Sequence, residues 1–110
     1  MLWFLRGLRK GVVTSHYPAR PDPSTDGLPS PPAFRSDLLT AELADRLAAA
    51  CPSGALRRDG ADLVLDLGAC TGCGRCNEVG GRAVAPSGAF ELAARDRTTL
   101  LKRIPIGAGR

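Results

Sequence analysis

The sequence has few aromatic residues, no long apolar run and no concentration of charge. Its 110 residues include one Trp, one Tyr and three Phe, and the basic residues behind its net charge of +4 are dispersed. This distribution excludes an evident nucleic-acid-binding surface. No apolar run approaches the roughly 20 residues that a membrane-spanning helix requires. Near the N-terminus no basic segment precedes the apolar residues, so we expect no secretory signal. We expect a soluble or peripheral protein, and its cysteine thiols suggest the reducing cytoplasm.

Catalytic side chains are also scarce. His16 is the only histidine, and its place beside Tyr17-Pro18 suits a surface contact better than a catalytic role or a metal ligand. The sequence contains no Ser/His/Asp arrangement, no phosphate-binding loop and no paired-carboxylate site. We therefore predict that the chain has no catalytic site of its own.

The four cysteines are the strongest signal that the sequence does contain. Cys70, Cys73 and Cys76 have the spacing C-x2-C-x2-C, and Cys51 is followed directly by Pro52. Bacterial ferredoxins use C-x2-C-x2-C-x3-C-P runs, in which three cysteines bind one cluster and the fourth binds the other cluster. By this rule the sequence predicts one [4Fe–4S] cluster whose iron is bound by Cys51, Cys70, Cys73 and Cys76.

The ligands of a second cluster are missing as a complete set. The positions where the ferredoxin pattern places them hold Ala41, Ala44, Leu47 and Gly80. One ligand set is therefore whole and the other is empty, which indicates a two-cluster ferredoxin pattern that retains one cluster. Arg75, between two of the remaining thiols, either raises the reduction potential by stabilising the more negative reduced state or points to solvent.

Three other interpretations of the cysteines are open. A zinc site usually takes two separated C-x2-C pairs around a tetrahedral ion. A disulfide framework suits a short secreted chain. Finally, all four residues can be free structural thiols. Three cysteines within seven residues, counted from Cys70 to Cys76, favour the cluster over these alternatives.

The centre of the chain contains an internal repeat at an offset of 29 residues. When the two halves are aligned, Cys51 matches Gly80 and the Asp59-Gly60 turn matches Ser87-Gly88. Each half indicates a ligand loop or helix followed by two short strands joined by a tight turn. We predict strands over residues 55–58, 62–66, 82–85 and 89–93. Two such halves around a pseudo-twofold axis predict an α+β, bacterial ferredoxin-like fold.

Apolar periodicity predicts amphipathic helices over residues 2–13 and 37–50, and a short helix over residues 96–103. Residues 18–32 contain six prolines and predict an extended segment, either disordered or laid across a partner. We therefore divide the chain into an N-terminal docking helix and proline-rich arm (residues 1–33), a single-cluster domain (residues 34–97) and a C-terminal tail (residues 98–110). The first helix suits docking on a membrane surface or on a partner subunit.

Taken together, the chain resembles the ferredoxin-like electron-transfer subunit of formate hydrogenlyase and related membrane-bound [NiFe] hydrogenases. That subunit is in turn similar to the two-cluster ferredoxin-like subunit of respiratory complex I. The likeness covers roughly residues 1–95 and rests on the N-terminal helix, residues 11–18, Phe34-Arg35, residues 51–56 and residues 65–76. The cysteine pattern is common to ferredoxins in general. The Tyr17-Pro18 arm ahead of it is the feature that points to this hydrogenase-related family among them.

The resemblance implies an electron-carrier subunit within an oxidoreductase complex. Its partners would be hydrogenase small-subunit-like and large-subunit-like proteins, with membrane-arm subunits nearby and no nucleic acid. The location would be cytoplasmic and peripheral, at the inner face of the cell membrane. The four cysteines correspond to the cluster nearer the terminal acceptor, and the input-side cluster of the family is missing. The alternative is a structural or assembly subunit whose cluster staples the fold without carrying electrons.

Overall fold

The computed structural model describes residues 2–11, 14, 16–23 and 27–107, and within them the fold is α+β. Its helices are α1 (Leu2–Lys10), α2 (Ala41–Ala50) and α3 (Arg75–Gly80). Its strands are β1 (Pro32–Phe34), β2 (Leu56–Asp59), β3 (Asp62–Asp66), β4 (Val84–Pro86) and β5 (Leu101–Pro105). Short 3-10 helices cover Gly81–Ala83 and Arg97–Leu100.

The strands form two small antiparallel sheets. In one, β1 pairs with β4 and places Phe34 opposite Val84. In the other, β3 lies between β2 and β5, so that Leu63 is opposite Arg58 on one side and Ile104 on the other. The predicted strands over residues 55–58 and 62–66 are confirmed to within one residue. The predicted strand over residues 82–85 begins two residues later, because a 3-10 turn precedes it.

The C-terminal part of the chain differs from the expectation. Residues 89–93, predicted as a strand, have no regular secondary structure, and the third strand of the larger sheet is β5. The sequence predicts a short helix over residues 96–103. The domain division assigns residues 98–110 to a C-terminal tail. Instead, the Asp96 carboxylate accepts a hydrogen bond from the Thr98 N–H at 3.0 Å and starts a single 3-10 turn. The chain then pairs along the open edge of β3, because that edge offers unpaired backbone groups beside buried apolar side chains.

Helix α2 begins four residues later than predicted, because Thr40 caps it. The Thr40 Oγ1 accepts a hydrogen bond from the Leu43 N–H at 3.1 Å, and residues 36–38 form a turn. Cys51 caps its C-terminal end, before Pro52. The helix packs against β2 and α3, and α3 packs against β4. The core between these elements is aliphatic: Leu39, Ala44, Leu47, Ala55, Leu56, Leu63, Leu65, Ala83 and Val84.

Helix α1 contributes nothing to this core. None of its residues is buried, and Leu2, Trp3 and Leu8 are 80%, 75% and 66% exposed. It ends at Lys10, where Gly11 turns the chain with φ +64°. The prediction extended this helix through Val12 and Val13, which lie outside the described residues. No helix in the described residues has the length and hydropathy needed to cross a membrane.

The proline-rich segment joins the domain before residue 34. Pro32 and Ala33, expected to belong to the arm, are part of β1. The Ser87 N–H and Oγ both donate to the Pro31 carbonyl, at 3.0 and 2.6 Å. The packed part of the chain therefore starts a few residues earlier than the predicted boundary and reaches Ile106.

Candidate functional site

All four cysteines line one cleft. Cys51 directly follows α2, and the other three lie between the end of β3 and the first turn of α3. Cys51, Cys70 and Cys76 are half-buried and pack against the aliphatic core, whereas Cys73 is exposed. All four thiols are free of disulfide bonds. The fold thus brings together residues that are far apart in the sequence.

A tight turn after α2 surrounds the Cys51 sulfur with donors. The Ala55 N–H donates to the Cys51 Sγ at 3.3 Å, and the Ser53 Oγ lies 3.5 Å from the same sulfur. Gly54 closes the turn with φ +68°. Burial raises the pKa of the Cys51 thiol, but the hydrogen bonds from Ser53, Ala55 and Leu56 together bring that pKa below its usual value. The environment of Cys51 therefore favours a thiolate.

The turn that leads into Cys70 is organised by Asp66, the last residue of β3. The Asp66 backbone carbonyl accepts from the N–H groups of Ala69 and Cys70, both at 3.1 Å. Its carboxylate accepts from the Gly68 N–H at 2.9 Å and pairs with the Arg97 guanidinium at 3.0 Å. A Cβ at position 68 would lie 3.0 Å from the Arg97 Nη1, so glycine suits this turn. Sequence reasoning missed this arrangement, for which the Asp-x-Gly spacing after a strand was the available signal.

We expect Asp66→Ala to destabilise the protein and loosen the cysteine loop. The substitution removes the hydrogen bonds from the Gly68 N–H and the Arg97 guanidinium, both of which are exposed, at a cost of about 0.5–1.5 kcal/mol in the free energy of unfolding. Urea unfolding of the two proteins measures this loss. Asp45→Ala is the matched control, because Asp45 also pairs with an arginine but is more exposed. Equal effects of the two substitutions would contradict the organising role of Asp66.

Two glycines shape the loop between Cys70 and α3. Gly72 and Gly74 have φ values of +70° and +79°, which L side chains rarely adopt. The Gly74 carbonyl accepts from the Asn77 N–H at 3.1 Å and begins α3. Burial raises the pKa of the Cys76 thiol, which lies on the half-buried side of this turn. Along the loop, exposed and half-buried residues alternate: Cys73 is exposed at the mouth of the cleft, whereas Cys70 and Cys76 are half-buried.

The end of the proline-rich segment forms one wall of the cleft. Ser30 and Pro32 line it, and a Cβ on Gly72 would lie 3.5 Å from Pro29 Cβ. The Gly88 N–H donates to the Ser30 Oγ at 3.1 Å, which holds this segment against the end of β4. The sequence predicted no role for these residues in the site, because their contacts join distant parts of the chain.

The arm also contacts its own domain at Tyr17. The Tyr17 hydroxyl donates to the Glu91 carboxylate, and its ring centroid lies 5.5 Å from that of Phe90. The hydrogen bond to Glu91 raises the pKa of Tyr17 above its usual value. The sequence predicts that the arm is either disordered or laid across a partner. In the structure this part of it lies against residues 90–91 of the same chain.

The positions of the missing ligand set hold apolar packing. Ala44 and Leu47 are fully buried on α2, and Gly80 lies at the end of α3 against them. A Cβ on Gly80 would lie 2.1 Å from the Val84 Cγ2 and 3.5 Å from the Leu47 Cδ2. Ala41 is exposed at the start of α2. The side chains of Leu47 and Val84 therefore fill the space beside Gly80.

In the described part of the chain, no group of three or more His, Cys, Asp or Glu side chains is arranged to hold a metal ion. No protein-family model and no curated protein matches the chain.

Proposed function

We propose that the chain binds one [4Fe–4S] cluster through Cys51, Cys70, Cys73 and Cys76 and carries electrons within a membrane-associated hydrogenase or complex I-like oxidoreductase. The observation that carries the proposal is the convergence of these four free cysteines on one cleft. In this role the chain is an electron-carrier subunit without a catalytic site.

The donor set suits a cluster better than a single zinc ion. Thiolates are the usual ligands of [4Fe–4S] clusters. In a cubane each thiolate binds a different iron, so the four sulfurs spread around a volume. A zinc ion instead requires four donors at about 2.3 Å from one point. Three thiols within the seven residues from Cys70 to Cys76, joined by Cys51 in the lining of the same cleft, favour the first arrangement.

The order of the elements supports a ferredoxin-like, pseudo-twofold fold. In the first half, α2 is followed by Cys51 and then by β2; in the second half, α3 ends at Gly80, the equivalent position, and is followed by β4. Strand β1 pairs with β4 across the two ends of the domain. Residues 89–93, the expected second strand of the second half, form no strand, and β4 pairs with β1 alone.

The residues around the cleft would hold the group and exclude water from it. A cluster bound here supplies reversible one-electron chemistry, with a potential that depends on hydrogen bonds to sulfur and on solvent exposure. The Ala55 N–H already donates to the Cys51 sulfur, at 3.3 Å. Leu56 and Leu65 form the apolar wall beneath the thiols, and Ser30 and Pro32 form a lateral wall.

Helix α1 supports the assignment to a larger complex at a membrane. Its apolar residues Leu2, Trp3, Leu5 and Leu8 are all more than half exposed, and the domain covers none of them. Arg9 and Lys10 occupy its last turn. An apolar surface of this kind is typical of a docking element. We propose that it contacts hydrogenase small-subunit-like or large-subunit-like partners near membrane-arm subunits, at the cytoplasmic face of the cell membrane.

A structural role for the cluster is the second candidate. Cys51, Cys70 and Cys76 pack against the aliphatic core, so a group bound to them would tie α2 to α3 and the larger sheet. A small domain gains much stability from such a link. This candidate requires the same four ligands and differs only in whether electrons pass through the group.

We expect the anaerobically purified chain to contain about four irons and four sulfides and no second cluster. Iron and sulfide analysis tests this directly; near eight irons, or stoichiometric zinc, would contradict the ligand assignment. A redox titration followed by EPR separates the two candidates. A cluster that takes up one electron reversibly, and whose reduced-state EPR signal appears during turnover of the complex, supports electron transfer. A cluster that stays oxidised during turnover, without that signal, supports the structural role.

A further inference from the structure

The cysteine cleft reaches the protein surface at one thiol. Among the four cysteines, Cys73 is exposed and the other three are half-buried. Thr71 and Arg75, on either side of it, are also exposed, while Gly72 and Gly74 between them are half-buried. The outer edge of this loop is therefore formed by Thr71, Cys73 and Arg75.

The other thiols lie behind protein walls. Pro29 and Ser30 contact the loop at Gly72. Cys70 and Cys76 pack against the aliphatic core, as does Cys51 within its own hydrogen-bonded turn. A partner that approaches the chain from solvent therefore comes closest to the cleft at Cys73.

The charge beside this edge is positive. Arg75 lies two residues from Cys73, is exposed, and forms no salt bridge with any residue that the structure describes. One turn further along α3, Glu78 shares a shallow surface pocket with Arg75. The Arg46 guanidinium reaches the same helix from α2 and donates to the Val79 carbonyl at 3.5 Å. Among the residues that line the cysteine cleft in the described part of the chain, Arg75 is the only charged one.

We propose that the chain exchanges electrons through the Cys73 edge, with a redox partner whose docking face presents carboxylates to Arg75. The inference rests on the proposed function. In the exchange the donor loses one electron and the holo-protein gains it, with no bond made or broken and no proton transferred. An acidic partner face would be steered toward Arg75, and complementary charge of this kind chiefly affects association rate and orientation.

Two small redox probes of opposite charge test the proposal on the full-length holo-protein. Reduced methyl viologen is a cation, and dithionite delivers electrons from an anion. In Arg75→Glu at low salt, we expect reduction by methyl viologen to become about threefold to tenfold faster and reduction by dithionite to become slower by a similar factor. High salt should remove both effects. A changed reduction potential alone would move both rates in the same direction, so opposite directions identify a local charge effect.

Arg82→Glu is the matched control, because the substitution makes the same change in net charge. Arg82 is also exposed, but it does not line the cleft. We expect it to leave both rates within about twofold. Equal effects of the two substitutions, or no effect of Arg75→Glu, would overturn the proposal. Iron content and EPR spectra of both variants should match those of the parent.

A second readout does not use the loaded protein. In the iron-free, reduced chain, iodoacetamide followed by mass spectrometry should modify Cys73 several times faster than Cys70 or Cys76, the two other cysteines of the same loop. Faster modification of Cys70 or Cys76 would overturn the assignment of the exposed edge. A chain that binds no iron would overturn the proposed function and this inference together. If the chain binds iron but a loop cysteine other than Cys73 is modified fastest, or if Arg75→Glu does not change the two reduction rates in opposite directions, only this inference is overturned.

Discussion

Cys51→Ala is expected to abolish cluster binding as completely as Cys73→Ala, although Cys51 lies 19 residues before Cys70 in the sequence. The structure places both thiols in the wall of the same cleft. The chain has only four cysteines, so no other thiol can replace the missing ligand. Iron analysis and visible absorbance after anaerobic reconstitution measure the loss. A Cys51→Ala protein with a full, stable cluster would contradict the ligand set and the proposed function.

Controls separate ligand loss from misfolding. Cys51→Ser keeps nearly the same volume against the core and should also fail to bind the cluster. Ser53→Ala removes the hydroxyl that lies 3.5 Å from the Cys51 sulfur but retains all four thiols. We expect Ser53→Ala to retain a full complement of iron. If Cys51→Ser and Ser53→Ala lost iron equally, the effect would come from the turn rather than from the ligand.

Gly80→Ala is expected to destabilise the fold more than any other glycine-to-alanine substitution in its helices. The new Cβ would lie 2.1 Å from the Val84 Cγ2 and 2.8 Å from the Val84 Cβ, so β4 or α3 has to move. The backbone conformation at Gly80 is right-handed helical, with φ −80°, and suits alanine. The cost is therefore steric, and overpacking of this kind costs about 2–3 kcal/mol in the free energy of unfolding.

A double substitution and a matched glycine test this explanation. Gly80→Ala combined with Val84→Ala should be more stable than the sum of the two single effects predicts, because the shorter side chain relieves the contact. Gly7→Ala on α1 meets no atom within 4 Å and should leave stability unchanged or slightly raised. Chemical denaturation measures all of these variants. Additive effects of the two substitutions would show that the Gly80–Val84 contact is not the cause.

Local pattern was sufficient to predict the elements nearest the cysteines. The hairpin of β2 and β3 follows from an Asp-Gly turn between two short runs, and helix α2 follows from its apolar periodicity and from Pro52. The candidate ligands came from spacing alone, and the structure places all four on one cleft. The empty ligand positions Ala41, Ala44, Leu47 and Gly80 were found by counting along the ferredoxin cysteine spacing. These features depend on residues that are close in the sequence or on a spacing that can be counted along it.

The cysteine spacing, the central hairpin and most of helix α2 therefore follow from the sequence. Only the tertiary contacts show that β5 pairs along the open edge of β3, that Ser30 and Pro32 line the cleft, and that Cys73 is the exposed thiol. They also join Asp66 to Arg97, 31 residues away, and Ser87 to Pro31, 56 residues away. Such contacts depend on which surfaces meet after the local elements form, because an open strand edge or an unpaired carboxylate can be satisfied by any segment that reaches it.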